Sequence, residues 1–82
     1  MVSACVLIRC EAGKIPDVSS LLAVAQKIKG FEGVKTAFPV LGRWDVVIEL
    51  EASNIETLTA TVLKINKLSG VRDTETLVEA RV

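Results

Sequence analysis

The chain has no histidine and no tyrosine, and among its 82 residues it holds one Trp, two Phe, two Pro and two Cys. Without His, the usual Ser-His and Cys-His nucleophile pairs cannot be built, and no Gly-rich phosphate loop is present. Cys5 and Cys10 lack the C-x-x-C spacing of a zinc ligand pair, so no metal and no cofactor are expected. The acids Asp17, Glu32, Asp45, Glu49 and Glu51 fall into no paired motif, and most read as solvated surface carboxylates. An enzyme is not expected.

An excess of one charge is also missing. Ten Lys and Arg balance ten Asp and Glu, with no basic cluster, so the electrostatic footprint of a nucleic-acid-binding domain is absent. No apolar run approaches the roughly 20 residues of a membrane span, and no basic segment with an apolar core opens the chain as an export signal. The expected location is cytoplasmic. Cys5 and Cys10, five positions apart, point to opposite faces of one strand, so they cannot bridge each other and read as reduced, small apolar fillers.

What the chain does have is aliphatic bulk: half of its residues are apolar, almost all Val, Leu, Ile and Ala. That composition favours a sheet packed on helices. At this length a single domain, residues 1–82, buries roughly 60–65% of its unfolded surface and is only marginally stable, which makes oligomerisation an expectation.

The chain also echoes itself. Lys27-Ile28-Lys29-Gly30-Phe31-Glu32-Gly33-Val34 reappears 37 positions later as Lys64-Ile65-Asn66-Lys67-Leu68-Ser69-Gly70-Val71, matching at Lys, Ile, Gly and Val. Each copy runs from an amphipathic helical stretch through a Gly-containing turn into a β-type segment, the second half of a β-α-β unit. Two such units fill the chain.

Residues from about Ser3 to Glu11 read as a mostly buried strand. Pro16 and Asp17 suit a helix start, and Val18, Leu21, Leu22, Ala25 and Ile28 make an apolar stripe that ends near Gly30. Gly33 to Leu41 is a weaker strand, with Val34, Thr36, Phe38 and Val40 on one side and Pro39 near its end. After Gly42-Arg43, strict alternation puts Trp44, Val46, Ile48 and Leu50 on one face, with Asp45, Val47, Glu49 and Glu51 on the other. Ser53 or Asn54 caps a second helix whose stripe is Ile55, Leu58, Val62, Ile65 and Leu68; Gly70 ends it, and Val71 to about Ala80 is a last strand.

The order β-α-β-β-α-β with right-handed crossovers predicts a ferredoxin-like α+β sandwich, a four-stranded antiparallel sheet with both helices on one face. The other face then carries Val47 and half of the apolar first strand with nothing in the chain to cover it. A second copy is the natural cover.

Two features on this frame invite a ligand. Asp45 follows Gly42-Arg43-Trp44 on the uncovered face, where a carboxylate beside a bare glycine backbone can receive an ammonium group; the alternative is a solvated or Arg43-paired aspartate. Thr74 and Thr76, two apart, share one face, and their hydroxyls can donate to a carboxylate or satisfy each other across strands.

The turn Gly42-Arg43-Trp44-Asp45 leading into Val46-Val47-Ile48, the ending Gly70-Val71-Arg72-Asp73-Thr74-Glu75-Thr76 and the order of elements resemble the effector-binding (RAM) domain of the Lrp/AsnC, or feast/famine, transcriptional regulators. The resemblance spans essentially the whole chain, with Trp44 where Tyr or Phe is more usual. It implies dimers packed sheet to sheet as a dimeric α/β barrel, a ring of dimers, and small effectors, often amino acids, bound between dimers. It also implies a ligand site of Leu41, Gly42, Arg43, Trp44, Asp45, Thr74 and Thr76, with Asp45 taking an α-ammonium and hydroxyls or main-chain N–H groups an α-carboxylate. Full regulators carry an N-terminal helix-turn-helix domain, whereas strand one here begins within a few residues of Met1. The resemblance is therefore to a stand-alone form of the domain, or to a piece cut to it, that senses an amino acid or joins full-length relatives in mixed assemblies. Two other classes share the fold: a purely structural assembly module, and dimeric α/β-barrel enzymes such as small monooxygenases, which usually enlist a His that this chain lacks.

Overall fold

The computed structural model describes residues 1–11 and 18–80. Its elements are β1 (Val2–Cys10), α1 (Val18–Lys29), β2 (Val34–Pro39), β3 (Val46–Ala52), α2 (Ile55–Asn66) and β4 (Val71–Val78). The sheet order is β2-β3-β1-β4 with every neighbouring pair antiparallel, which is the expected ferredoxin-like sandwich. Pro16 and Asp17, the expected start of α1, lie outside the described residues.

Alternation along the two central strands builds the core. Ala4, Val6, Ile8 and Cys10 of β1 and Val46, Ile48, Leu50 and Ala52 of β3 are buried, and they form one cluster with Ala25 and Ile28 of α1 and Leu58 and Ile65 of α2. Both helices therefore cover the same face. The helical stripes differ from the sequence reading at two places. Leu22 is exposed, and Val24 packs against the core together with Leu21. On α2, Ile55 is exposed while Thr61 is buried; its hydroxyl donates to the Glu32 carbonyl at 3.4 Å, which satisfies a polar group at a helix–turn contact. Asn54 is the cap of α2, its Oδ1 accepting the Thr57 N–H at 2.8 Å.

The sequence echo is an echo of hydrogen bonds. In the first copy the Phe31 N–H donates to the Ile28 carbonyl at 2.9 Å and the Val34 N–H to Phe31 at 3.2 Å; in the second, Leu68 donates to Ile65 at 3.1 Å and Val71 to Leu68 at 3.2 Å. Gly33 and Gly70 close the two turns at φ of 86° and 93°, a region that disfavours any side chain. Their carbonyls then start the pairing, Gly33 accepting from Glu51 and Gly70 from Glu11.

Strand β2 does not follow simple alternation. Its register against β3 slips between Val34 and Thr36, so Val34 packs on the core with buried Ala37 while Thr36 and Phe38 face the other way. On the helix-free face, Phe38, Val47 and Leu7 lie in one row and Cys5 and Leu77 in the next. Glu49, Glu51, Asp73, Glu75 and Arg9 flank this apolar band. Phe38 and Leu77 remain 43% and 49% exposed.

Candidate functional site

The link between β2 and β3 forms the exposed end of the sheet. The Val40 N–H donates to the Asp45 carbonyl at 2.9 Å, and the Asp45 N–H donates to the Ile8 carbonyl at 2.8 Å, so the link is fastened to β1 as well as to β2. Cα pairing of β1 with β3 ends at Ile8 opposite Val46. The next donor on that edge of β1 is the Cys10 N–H, beyond the last rung. The Asp45 carboxylate takes it: Oδ2 accepts from the Cys10 N–H at 2.7 Å. A short hydrogen bond to a charged acceptor fixes the carboxylate where the ladder runs out.

The tip itself is open. Leu41 is 92% exposed, Gly42 and Arg43 are exposed, and at Gly42 (φ 143°) no atom lies within 4 Å of where a Cβ would stand. That glycine is required by the backbone conformation and not by packing. Beside the tip, Leu21, Pro39, Val40 and Leu41 line an apolar hollow of about 210 Å³.

Trp44 departs from the alternation read in the sequence, which sets it beside Val46, Ile48 and Leu50. Regular β3 begins only at Val46, so Trp44 belongs to the turn, and it does not join the residues packed on the core. The Arg9 guanidinium carbon stands over its ring, 5.0 Å from the centroid. Sequence reasoning misses Arg9. The available signal is a charge inside an otherwise apolar strand. Its Nε donates to the Arg43 carbonyl at 3.3 Å and its NH1 reaches Asp73 Oδ2 at 3.8 Å, so one side chain spans from the hairpin to β4.

Thr74 and Thr76 do share one face, and it is the helix-side face: they pair across β1 with Ile8 and Val6. The Thr74 hydroxyl donates to Asn66 Oδ1 at the end of α2, at 2.6 Å. Ile8 thus has Asp45 hydrogen-bonded to its carbonyl on one side and Thr74 paired with it on the other, so Asp45 and Thr74 bracket one point of β1. Thr76 stands two residues further along. Within one chain Leu41 to Asp45 and Thr74 lie toward one end of the sheet, Thr76 lies opposite the middle of β1, and β1 separates the hairpin group from the two threonines.

Both thiols titrate above the ordinary range. Burial pushes Cys10 up and the nearby Asp45 charge adds to it; burial pushes Cys5 up, with Glu49 adding. Both side chains stay protonated at neutral pH and are weak nucleophiles. Among the described residues no group of three or more His, Cys, Asp or Glu is placed to hold a metal ion, and no helix is long and apolar enough to cross a membrane.

The fold is a ferredoxin-like α+β sandwich with an exposed β2–β3 link, and comparison with known proteins names its family. The Lrp/AsnC ligand binding domain family matches residues 3–81, and the chain belongs to that family. Among solved structures it is similar to TTHA0845 of Thermus thermophilus, at 30% identity and a TM-score of 0.83, covering 100% of this chain and 96% of that one. A hypothetical protein of Pyrococcus horikoshii, PHS023, is similar at 26% identity and a TM-score of 0.82, over 100% of this chain and 93% of that one. The transcriptional regulator NMB0573 of Neisseria meningitidis, solved as a complex with L-Met, shares the fold at 16% identity and a TM-score of 0.76, over 98% of this chain and 50% of that one. Compared by sequence with curated proteins, the chain matches none.

Proposed function

We propose that this chain is a non-catalytic sensing and assembly domain that binds a small effector of the amino-acid class. It works as a homodimer joined through its helix-free sheet faces, with dimers assembled further into a ring. Membership of a ligand-binding family supports the sensing role, and the fold-level neighbour solved with L-Met supports an amino acid as the class. The apolar band of Phe38, Val47, Leu7 and Leu77 supports the dimer.

The observation that carries the reading is the pinned acid at the open tip: Asp45, held by the Cys10 N–H beside exposed Leu41, Gly42 and Arg43, offers an ammonium group a carboxylate at a fixed place. Asp45 is the ammonium receptor, the backbone of Leu41 to Arg43 and Trp44 form the near wall, and Thr74 and Thr76 come from a neighbouring dimer, since within one chain they lie beyond β1. Full-length Lrp/AsnC regulators are the partners in mixed assemblies, and the cytoplasm is the compartment.

The test is a titration with the L-amino acids that follows the fluorescence of Trp44, the sole Trp, with light scattering to report mass. A saturable change for a few amino acids, lost in Asp45→Ala, is the expected result. Unchanged affinity in Asp45→Ala with an intact assembly overturns the role of Asp45. Silence at about 10 mM across the panel overturns the sensing role, because a ligand at 100 times its Kd stabilises the native state by about 2.7 kcal/mol. In that case assembly alone remains.

A further inference from the structure

We infer that Arg9 is the receptor for the effector's α-carboxylate, so that the hairpin end reads a zwitterion, with Arg9 taking the carboxylate and Asp45 the ammonium. The inference rests on the reading proposed above and names the chemistry of the same site.

Arg9 leaves β1 on the helix-free side, one residue past the last β1–β3 pair, opposite Asp73 and next to Cys10, the residue whose N–H pins Asp45. Its guanidinium is held by two contacts that leave its gripping edge open. Its guanidinium carbon stands over the Trp44 ring, 5.0 Å from the centroid, and Nε donates to the Arg43 carbonyl at 3.3 Å. With Nε engaged by the Arg43 carbonyl, the terminal NH1 and NH2 groups are the donors left for a carboxylate, which a guanidinium binds through two parallel hydrogen bonds.

Asp73 stands near that edge. Its Oδ2 is 3.8 Å from Arg9 NH1, an ion pair too long to be a hydrogen bond. Asp73 also has a second cation, since the same Oδ2 lies 3.7 Å from Arg72 Nε. A ligand carboxylate at the usual charge-assisted distance of about 2.8 Å therefore replaces a long contact by short ones. Asp73 keeps Arg72 when it loses Arg9, so the exchange strands no charge. In the single chain the Arg9 side chain is 33% exposed, and it flanks the apolar band of the helix-free face.

The experiment measures the affinity of the intact chain for L-amino acids and for their α-carboxamides, which keep the ammonium and side chain but lose the negative charge. For the wild type, an amino acid that binds is expected to bind at least about tenfold more tightly than its amide. Arg9→Gln abolishes that preference, weakening amino-acid binding at least about tenfold more than it weakens binding of the amide. Asp73→Asn, which removes the resident acid and touches neither hairpin nor core, tightens amino-acid binding severalfold and keeps the preference. If Arg9→Gln retains the preference for the free carboxylate, the inference fails while the sensing role stands. A loss in Asp73→Asn equal to that in Arg9→Gln also overturns it, because it makes the pair a strut between hairpin and β4. Failure of the wild type to bind any amino acid overturns both readings.

Discussion

The two β-α-β halves are near copies at their turns and unlike at their ends. Ile28, Phe31, Gly33 and Val34 make the same bonds as Ile65, Leu68, Gly70 and Val71, while the strands that follow diverge: β2 slips register after Val34 and stops at Pro39, whereas β4 runs for eight residues. The irregularity near β4 falls on its neighbour, where the register shifts between Arg9 and Cys10. Repeated geometry therefore marks what the fold needs. The break between Arg9 and Cys10 falls at the end that carries Asp45, Arg9 and Trp44, while the β2 slip, opposite Leu50 and Glu49, falls toward the other end.

The strongest way to test that equivalence is to empty the same place in each half. Ile28 and Ile65 are both fully buried at matching positions, so Ile28→Ala and Ile65→Ala are each expected to cost about 2–5 kcal/mol in urea unfolding, by similar amounts. A cost confined to one half would mean that only one helix carries the core.

A smaller effect separates the turns. At Gly33 an added Cβ would run into the Glu51 carbonyl oxygen of β3, and φ is 86°. Gly33→Ala is expected to destabilise by about 1–3 kcal/mol, and to weaken β2–β3 amide protection in hydrogen exchange before the rest of the sheet. The least effect belongs to the helix starts. In α2, Asn54 caps and Glu56 lies in the first turn, whereas the first turn of α1 from Val18 holds no acid. Asn54→Ala is expected to cost about 1 kcal/mol, read as a shift in the urea midpoint without a change in slope.

Much of this is legible in the sequence because burial writes itself as periodicity. The alternation of Val46, Ile48 and Leu50, the shared Lys-Ile and Gly-Val of the two turns and the capping Asn54 each express a local rule that tertiary context does not override. The misreadings have local causes as well. The β2 bulge is one extra residue with no sequence mark, so simple alternation puts Val34 on the wrong face. Trp44 sits outside β3, where alternation has no force. The Asp45 to Cys10 bond and the Arg9 bridge join residues more than 30 positions apart, and only the sheet brings them together.

The sheet order has a consequence for synthesis. Each half pairs its outer strand with the other half, β2 with β3 and β4 with β1, so that Ala4 meets Val78. Neither half completes its own hydrogen-bonding ladder. As the chain leaves the ribosome, one edge of β1 stays unpaired until β4 emerges, and pairing across such long loops is the slow part of folding. Through that interval the apolar first strand of the nascent chain is open to chaperones or to a neighbouring copy. The strand of this fold that is made last is the one that seals the strand made first.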